Sequence, residues 1–440
     1  MDDDSCNSFI DYAVPRKYVH KMLPRFAAAA TKRDALNLPF STKGRDIFDS
    51  NGDVFYYKGT NWPGHQEIMI PEGLQHASIA EIVAWIPKFG LNSVRMTFAI
   101  EMIDDIYSNS TNQTLERSVI NALGQDNGTL VLGQILEHNP QFTAQTTRLE
   151  VWDAVAKELA AQDVILHLDN HVSKAFWCCG DDDGNGWFGE NYFDVDKWIR
   201  GLSFISAHAK THWPTFASVG LRNELRKAKV SEPVDWYTWY IHMTSAATAV
   251  HAAAPDALIF FSGLSYDTFI DPLPLGKSLQ GTAGTTTANK TAKFIPTDFP
   301  WANKIVLELH KYDFEATHNP CPTFKANWYK QGFQAVNASD SATKHLFPIA
   351  ITEWGFIHNG TYWNQTTYNK CLIEMVGDYR VSWMQWEISG SFYLQTRPGR
   401  TPETIQGPEE FWGLLNYNWD GVRDVVTVEN SLDKMIAALG

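Results

Sequence analysis

Two glutamates stand where an apolar run stops. The stretch "SVGLRNELR", Ser218 to Arg226, reads as a buried strand over Phe216 to Leu221 that ends in Asn223 and Glu224. "LFPIAITEWG" repeats the pattern and ends in Glu353. A carboxylate at the mouth of an apolar strand is costly to place there unless something uses it. Two strands that each deliver one carboxylate to the same end would form a pair able to divide proton transfer and nucleophilic attack between them.

The rest of the chain reads as the frame for that pair. Asn51-Gly52 between alternating apolar residues predicts a hairpin leading into a first strand, Val54 to Gly59. "HASIAEIVAWIPKFG" carries apolar residues at helical spacing and stops at Gly90. Further strands are predicted in "LNSVRMTF", "VILHLDNH", Phe216 to Leu221, "ALIFFSG", "KIVLELHKY", "FPIAITE" and "YRVSWMQW". Helical patterns separate most of them, and "VENSLDKMIAAL" predicts a last helix. Residues 99 to 145 read as a long surface excursion, residues 266 to 303 as loop, and 387 to 426 as a second long loop. Alternating strands and helices imply a parallel sheet. Eight such units in 440 residues favour an α/β fold of the (β/α)8 TIM barrel type. Residues 1–40 are expected to be an extension packed on the barrel, and 41–440 a single catalytic domain. No G-x-G-x-x-G follows the first strand, which removes a dinucleotide site there.

Sites in such barrels lie at the C-terminal ends of the strands. Those ends read Asn61-Trp62, Arg95, Asn170-His171, Asn223-Glu224, His310 with Tyr312, Glu353 and Trp386. One polar strand end is ordinary, but the whole set in register is not.

Composition narrows the partners. Net charge is -14, which argues against nucleic acid and anionic membranes, since both favour Lys/Arg clusters. Asn109, Asn112, Asn127, Asn289, Asn337, Asn359 and Asn364 each head an N-x-S/T triplet. "MDDDSC" has no signal pattern. The sequons favour a secreted glycoprotein whose leader has been removed. Cys6, Cys178, Cys179, Cys321 and Cys371 allow two bridges with one cysteine left over, and the adjacent Cys178 and Cys179 are expected to have separate partners.

Asp181, Asp182, Asp183 and Asn185 lack the spacing of a calcium loop. His167 and His171, with Asp169 between them, have no evident third metal ligand. Glu308 reads as a barrel-interior carboxylate, and Glu387 as pointing away from the site. Nothing in the set calls for a cofactor or a metal, and a monomer is expected.

The strand-end residues carry a family resemblance. "SVRM", "DNH", "LRNE", "ELHKY", "ITEWG" and "WMQW", in that order, resemble glycoside hydrolase family 5, the cellulase-type retaining glycosidases. "DNHVSKAFWCCGDDDGNGWFG" further resembles a branch found in plants and fungi. The resemblance implies Glu224 as acid/base and Glu353 as nucleophile. It implies Asn223 on the sugar 2-hydroxyl, His310 and Tyr312 orienting the carboxylates, and Trp386 under the sugar ring. Arg95, His171, Asn61 and Trp62 complete the expected binding set. Arg95 is expected to lower the pKa of Glu353, and burial to raise that of Glu224. The alternatives are an exo-acting or disaccharide-releasing enzyme on small glycosides or glycolipids, and a catalytically silent carbohydrate-binding barrel.

Overall fold

The computed structural model describes residues 36–109, 112–228, 232–313, 319–397 and 403–440. Eight parallel strands close into a barrel. In chain order they are β1 (Lys58–Pro63), β2 (Ser93–Ala99), β3 (Ile165–Val172), β4 (Phe216–Gly220), β5 (Leu258–Phe261), β6 (Ile305–His310), β7 (Ile349–Glu353) and β8 (Ser382–Gln385). β8 pairs with β1 through Trp383 and Lys58, which closes the ring.

The strands are buried on both faces, so their pattern has period two in chemistry rather than in burial. In β2, Val94, Met96 and Phe98 alternate with Ser93, Arg95 and Thr97, and all are buried. Polar side chains of alternate residues meet inside: the Tyr57 hydroxyl donates to Ser218 Oγ at 2.9 Å, and His167 Nδ1 lies 2.8 Å from the same oxygen. Gly220 in β4 is there for space. A Cβ would sit 2.9 Å from Asp169 Oδ1 and crowd a carboxylate that the site uses.

The N-terminal end of the barrel is plugged. Phe40, Ile47 and Tyr57 cluster with Ile165, Ala217, Leu258, Val306 and Ala350, which stand near the beginnings of their strands. This apolar floor leaves the opposite end for chemistry.

Several boundaries differ from expectation. Val54–Phe55 pairs antiparallel with Asp46–Phe48, which pairs with Ser41–Lys43, so the first barrel strand is Lys58–Pro63 and not Val54 to Gly59. "KGTNWP" has no apolar alternation because its inward residues are small or polar, and the Cβ of any residue at Gly59 would lie 2.6 Å from Ser93 Oγ. The stretch expected as a surface excursion folds as helices Ile100–Asn109, Leu115–Leu123 and Gln125–His138. Thr114 caps the second of these by accepting from Arg117 N, and Leu115, Val119 and Leu123 give it a buried face. The last helix is broken at Ser431 into Val425–Asn430 and Leu432–Leu439.

Cys321 is joined to Cys371. Cys178 is joined to Cys179 and not to a separate partner. Neighbouring cysteines bond only where the local backbone turns both sulfurs to one side, which sequence spacing does not report. Cys6 and the rest of the N-terminal extension up to residue 35 lie outside the described residues. Among the described residues no helix is long and apolar enough to cross a membrane.

Candidate active site

Arg95 organises the floor of the site. Its side chain rises inside the barrel from β2 and is fully buried. Nη1 lies 2.6 Å from Glu353 Oε1 and 2.9 Å from Asn61 Oδ1. Nη2 lies 2.8 Å from Asp169 Oδ1 and donates to Asn223 Oδ1 at 2.8 Å. Burial by itself would lower the Arg95 pKa, but Asp169 and Glu353 outweigh it and the value is raised. A permanent cation therefore joins the ends of β1, β2, β3, β4 and β7.

The two glutamates come together above it. Glu353 Oε2 accepts from the Tyr312 hydroxyl at 2.8 Å and lies 3.4 Å from His310 Nδ1. The same nitrogen is 2.9 Å from Glu224 Oε1. One oxygen of each carboxylate and the His310 nitrogen all lie within 4.8 Å of one another. Burial pushes the His310 pKa down to about 4, so the ring is neutral at pH 7 and bridges the pair without adding a charge.

Glu224 leaves β4 through an unusual backbone. Its φ is +46°, in the left-handed region that a residue with a Cβ rarely adopts. The conformation is held from both sides: its N–H donates to Asp267 Oδ2 at 2.8 Å, and its carbonyl accepts from Arg226 Nη1 at 2.8 Å. The loop that supplies Asp267 is itself left-handed at Ser265, Tyr266 and Asp267, with φ of +54°, +59° and +55°. Such clustering is characteristic of functional sites.

Burial raises the Glu224 pKa to about 7, against the pull of Arg226 and Arg95. Glu353 is raised as well, by burial first, with His310 and Arg95 opposing and Glu224 adding to it. The expectation that Arg95 would hold Glu353 below its ordinary value is thus corrected. The guanidinium offsets only part of the cost of burying a carboxylate beside a second one.

Aromatic residues form the walls. His171 Nδ1 lies 2.8 Å from Asp169 Oδ2, and its ring stacks on Trp386 with centroids 5.3 Å apart and planes 12° apart. His171, Asn223, Glu224, His310, Tyr312, Glu353 and Trp386 all line a cavity of about 830 Å³. The rest of the wall comes from loops: Trp177, Cys178 and Cys179 after β3, Tyr266 after β5, and Trp412 from the loop after β8. Trp412 packs 5.7 Å from Tyr312. Sequence reasoning missed these residues, because a loop tryptophan or cysteine carries no register to say which way it faces.

Of the expected binding residues, Arg95, Asn61 and Trp62 do not line the cavity, Arg95 lying beneath it. The Trp62 indole is fully buried and donates to the Glu72 carbonyl at 2.9 Å. Asn61 sits beneath the cavity, donating to the carbonyls of Thr352 and Gln385 at 3.0 Å each while accepting from Arg95. Asn61 is therefore a support for Arg95 and not a surface for a ligand.

The remaining sequence candidates are tied into the frame. Glu308 is buried and accepts from the Thr352 hydroxyl at 3.0 Å. Glu387 accepts from Ser389 at 2.6 Å. Asp183 pairs with Arg226, and Asp181 accepts from the Tyr266 hydroxyl.

A parallel (β/α)8 barrel with paired carboxylates at the ends of its fourth and seventh strands, walled by tryptophans, defines a class of barrel hydrolases. The sequence pattern described as Cellulase (glycosyl hydrolase family 5) matches residues 51–391. The chain belongs to glycosyl hydrolase family 5. A "Glycosyl hydrolase 5 family protein" of Chamaecyparis obtusa is 30% identical over 401 residues, which are 88% of this chain and 64% of that protein. This chain thus spans less than two thirds of its relative's length. The catalytic domain of the major endoglucanase from Xanthomonas campestris pv. campestris superposes with a TM-score of 0.61 at 18% identity, covering 90% of this chain and 99% of that one. An endocellulase from Pyrococcus horikoshii in complex with cellotetraose gives a TM-score of 0.61 at 14% identity, covering 93% and 100%. At such identities the superpositions establish the fold.

Proposed function

We propose that this protein hydrolyses β-linked glucosides or glucans with retention of anomeric configuration, with Glu353 as nucleophile and Glu224 as acid/base. The observation that carries this reading is the 4.8 Å limit on the separation of the facing carboxylate oxygens. Retention needs carboxyl groups about 5 Å apart, whereas inversion needs a wider gap for a water. Family membership and the cellotetraose bound to the structurally similar endocellulase support a β-glucan-like substrate.

The steps follow from the contacts. Glu353 attacks the anomeric carbon and forms a glycosyl-enzyme ester, while Glu224 gives its proton to the leaving oxygen. Glu224, now a carboxylate, takes a proton from water, and that water releases the sugar from Glu353. The Tyr312 hydroxyl and Arg95 orient the two oxygens of Glu353, and His310 holds Glu224 against it. Asn223 faces the 2-hydroxyl, a contact that strengthens in the transition state. The Trp386 face carries the sugar ring.

Secretion as a glycoprotein is part of the proposal. Asn127, Asn289, Asn359 and Asn364 are exposed, and a disulfide closes 50 residues between Cys321 and Cys371. Exo or disaccharide-releasing action is the second reading. In its favour, the Trp177 N–H donates to the Thr396 carbonyl at 3.1 Å, which ties two mouth loops together on one side of the cavity.

The test sets aryl β-glucoside, mannoside, cellobioside and rutinoside beside soluble glucans and mannans, with products sized by chromatography. A ladder of oligosaccharides from polymer supports endo-action. A single mono- or disaccharide from small glycosides, with polymer untouched, supports the second reading. No turnover on any of them sinks both.

A further inference from the structure

The joined pair Cys178–Cys179 stands in the cavity wall beside the reacting groups. Both sulfurs and one Glu224 carboxylate oxygen lie within 4.8 Å of one another. Asn223 Nδ2 is 3.7 Å from Cys178 Sγ and 3.6 Å from Cys179 Sγ, within reach of a weak N–H to sulfur bond. The other end of that amide, Oδ1, accepts from Arg95 Nη2 at 2.8 Å, and the Asn223 main-chain N–H donates to the Asn170 carbonyl at 2.9 Å. The amide is thus gripped at its oxygen by a cation and at its nitrogen by sulfur.

The loop that carries the sulfurs is tied to the acid/base as well. Arg226, almost fully buried, donates through Nε to the Gly180 carbonyl at 2.9 Å and through Nη1 to the Glu224 carbonyl at 2.8 Å, and pairs with Asp183. One guanidinium therefore sets the position of both the sulfur wall and the Glu224 backbone.

We propose that the Cys178–Cys179 disulfide is a positioning and specificity element of the site, a sulfur wall that holds the Asn223 amide toward the 2-hydroxyl of the bound sugar. This rests on the glycosidase reading above. A disulfide between neighbours presents two sulfur acceptors on one small ring. Two free thiols rotate separately, so their sulfurs, still weak acceptors, no longer hold one fixed position against the amide. A dithiol reductant would convert one state to the other. It gives two electrons and two protons to the S–S bond, yielding two cysteine thiols, and is itself oxidised to a cyclic disulfide.

The experiment compares an aryl β-glucoside with its 2-deoxy counterpart on the full chain and on the Cys178→Ser/Cys179→Ser double variant. The expected result is a fall in kcat of about tenfold on the glucoside and a change of less than about twofold on the 2-deoxy substrate, the selectivity of one lost hydrogen bond. Equal losses on both substrates, or none on either, would overturn the proposal. Should the variant not fold, dithiothreitol on the native protein decides the matter, with alkylation and mass spectrometry locating the new thiols. The same selective loss must follow reduction at Cys178 and Cys179 and reverse on reoxidation. Undiminished glucoside turnover with those thiols free overturns the proposal alone. A native protein inactive on both substrates and on every substrate of the screen above overturns the glycosidase reading itself.

Discussion

The main-chain N–H of Glu224 donates to Asp267 Oδ2 at 2.8 Å. That bond fastens the proposed acid/base, whose backbone is left-handed, to a loop that is itself left-handed at three successive residues. Neither conformation is cheap, so each needs the other in place. Asp267→Ala is expected to lower kcat about tenfold with little change in KM. Asp267→Asn, which keeps an oxygen acceptor, should recover most of the loss. Equal kinetics for the two variants would show that the acceptor does not position Glu224.

Glu224 titrates in the working range. With its pKa near 7, it holds its proton below that pH and can protonate a leaving oxygen, and it loses that ability above. The alkaline limb of kcat/KM is therefore expected near pH 7. The same shift bears on stability. Between the ordinary carboxyl value of 4.5 and about 7, the folded chain keeps a proton that the unfolded chain releases, so stability falls as pH rises through that window. Glu224→Gln removes the charge, and should gain about 1–3 kcal/mol at pH 8 and nothing at pH 4. Denaturant unfolding at the two pH values measures this. An unchanged pH dependence of stability in the variant would count against burial as the cause.

Glu353 receives Arg95 on one oxygen and Tyr312 on the other, which leaves the carboxylate fixed in plane. Glu353→Ala is expected to lose turnover by on the order of 10⁴-fold while keeping the fold. Azide should restore activity and give the glycosyl azide of inverted configuration, read by NMR. Rescue with retained configuration would move the nucleophile elsewhere.

The Cys321–Cys371 bridge closes a loop of 50 residues and reaches from one outer helix, Cys321–Tyr329, to another, Tyr368–Tyr379. Replacing both cysteines with alanine should cost about 4 kcal/mol by loss of the constraint on the unfolded chain. Chemical denaturation checks the value. Neither cysteine lines the cavity, so kcat on any substrate should change by less than about twofold.

Most of the frame was legible in the residue pattern. β2 through β8 lie where the apolar runs put them, because a strand buried on both faces needs such a run whatever surrounds it. β1 was misplaced for the converse reason: its inward residues include Gly59 and Asn61, which serve space and Arg95 and leave no apolar signal. The strand-end set was also legible, since a parallel barrel brings all C-terminal strand ends to one rim. Trp62 shows the limit of that rule, for one residue along a strand turns the side chain to the other face, where the indole meets Glu72.

The identity and order of the catalytic candidates thus belong to the primary structure: Asn223, Glu224, His310, Tyr312, Glu353 and Trp386 can be named from strand ends alone. What surrounds them belongs to the fold. Only the folded chain sets Asp267 under the Glu224 amide, joins Cys178 to Cys179 against Asn223, and buries both carboxylates deeply enough to raise their pKa values despite Arg95. Strand pattern is local and repeats every two residues, so sequence carries it. Loop direction, desolvation and charge balance are sums over residues far apart in the chain, and they take their values only when the barrel closes.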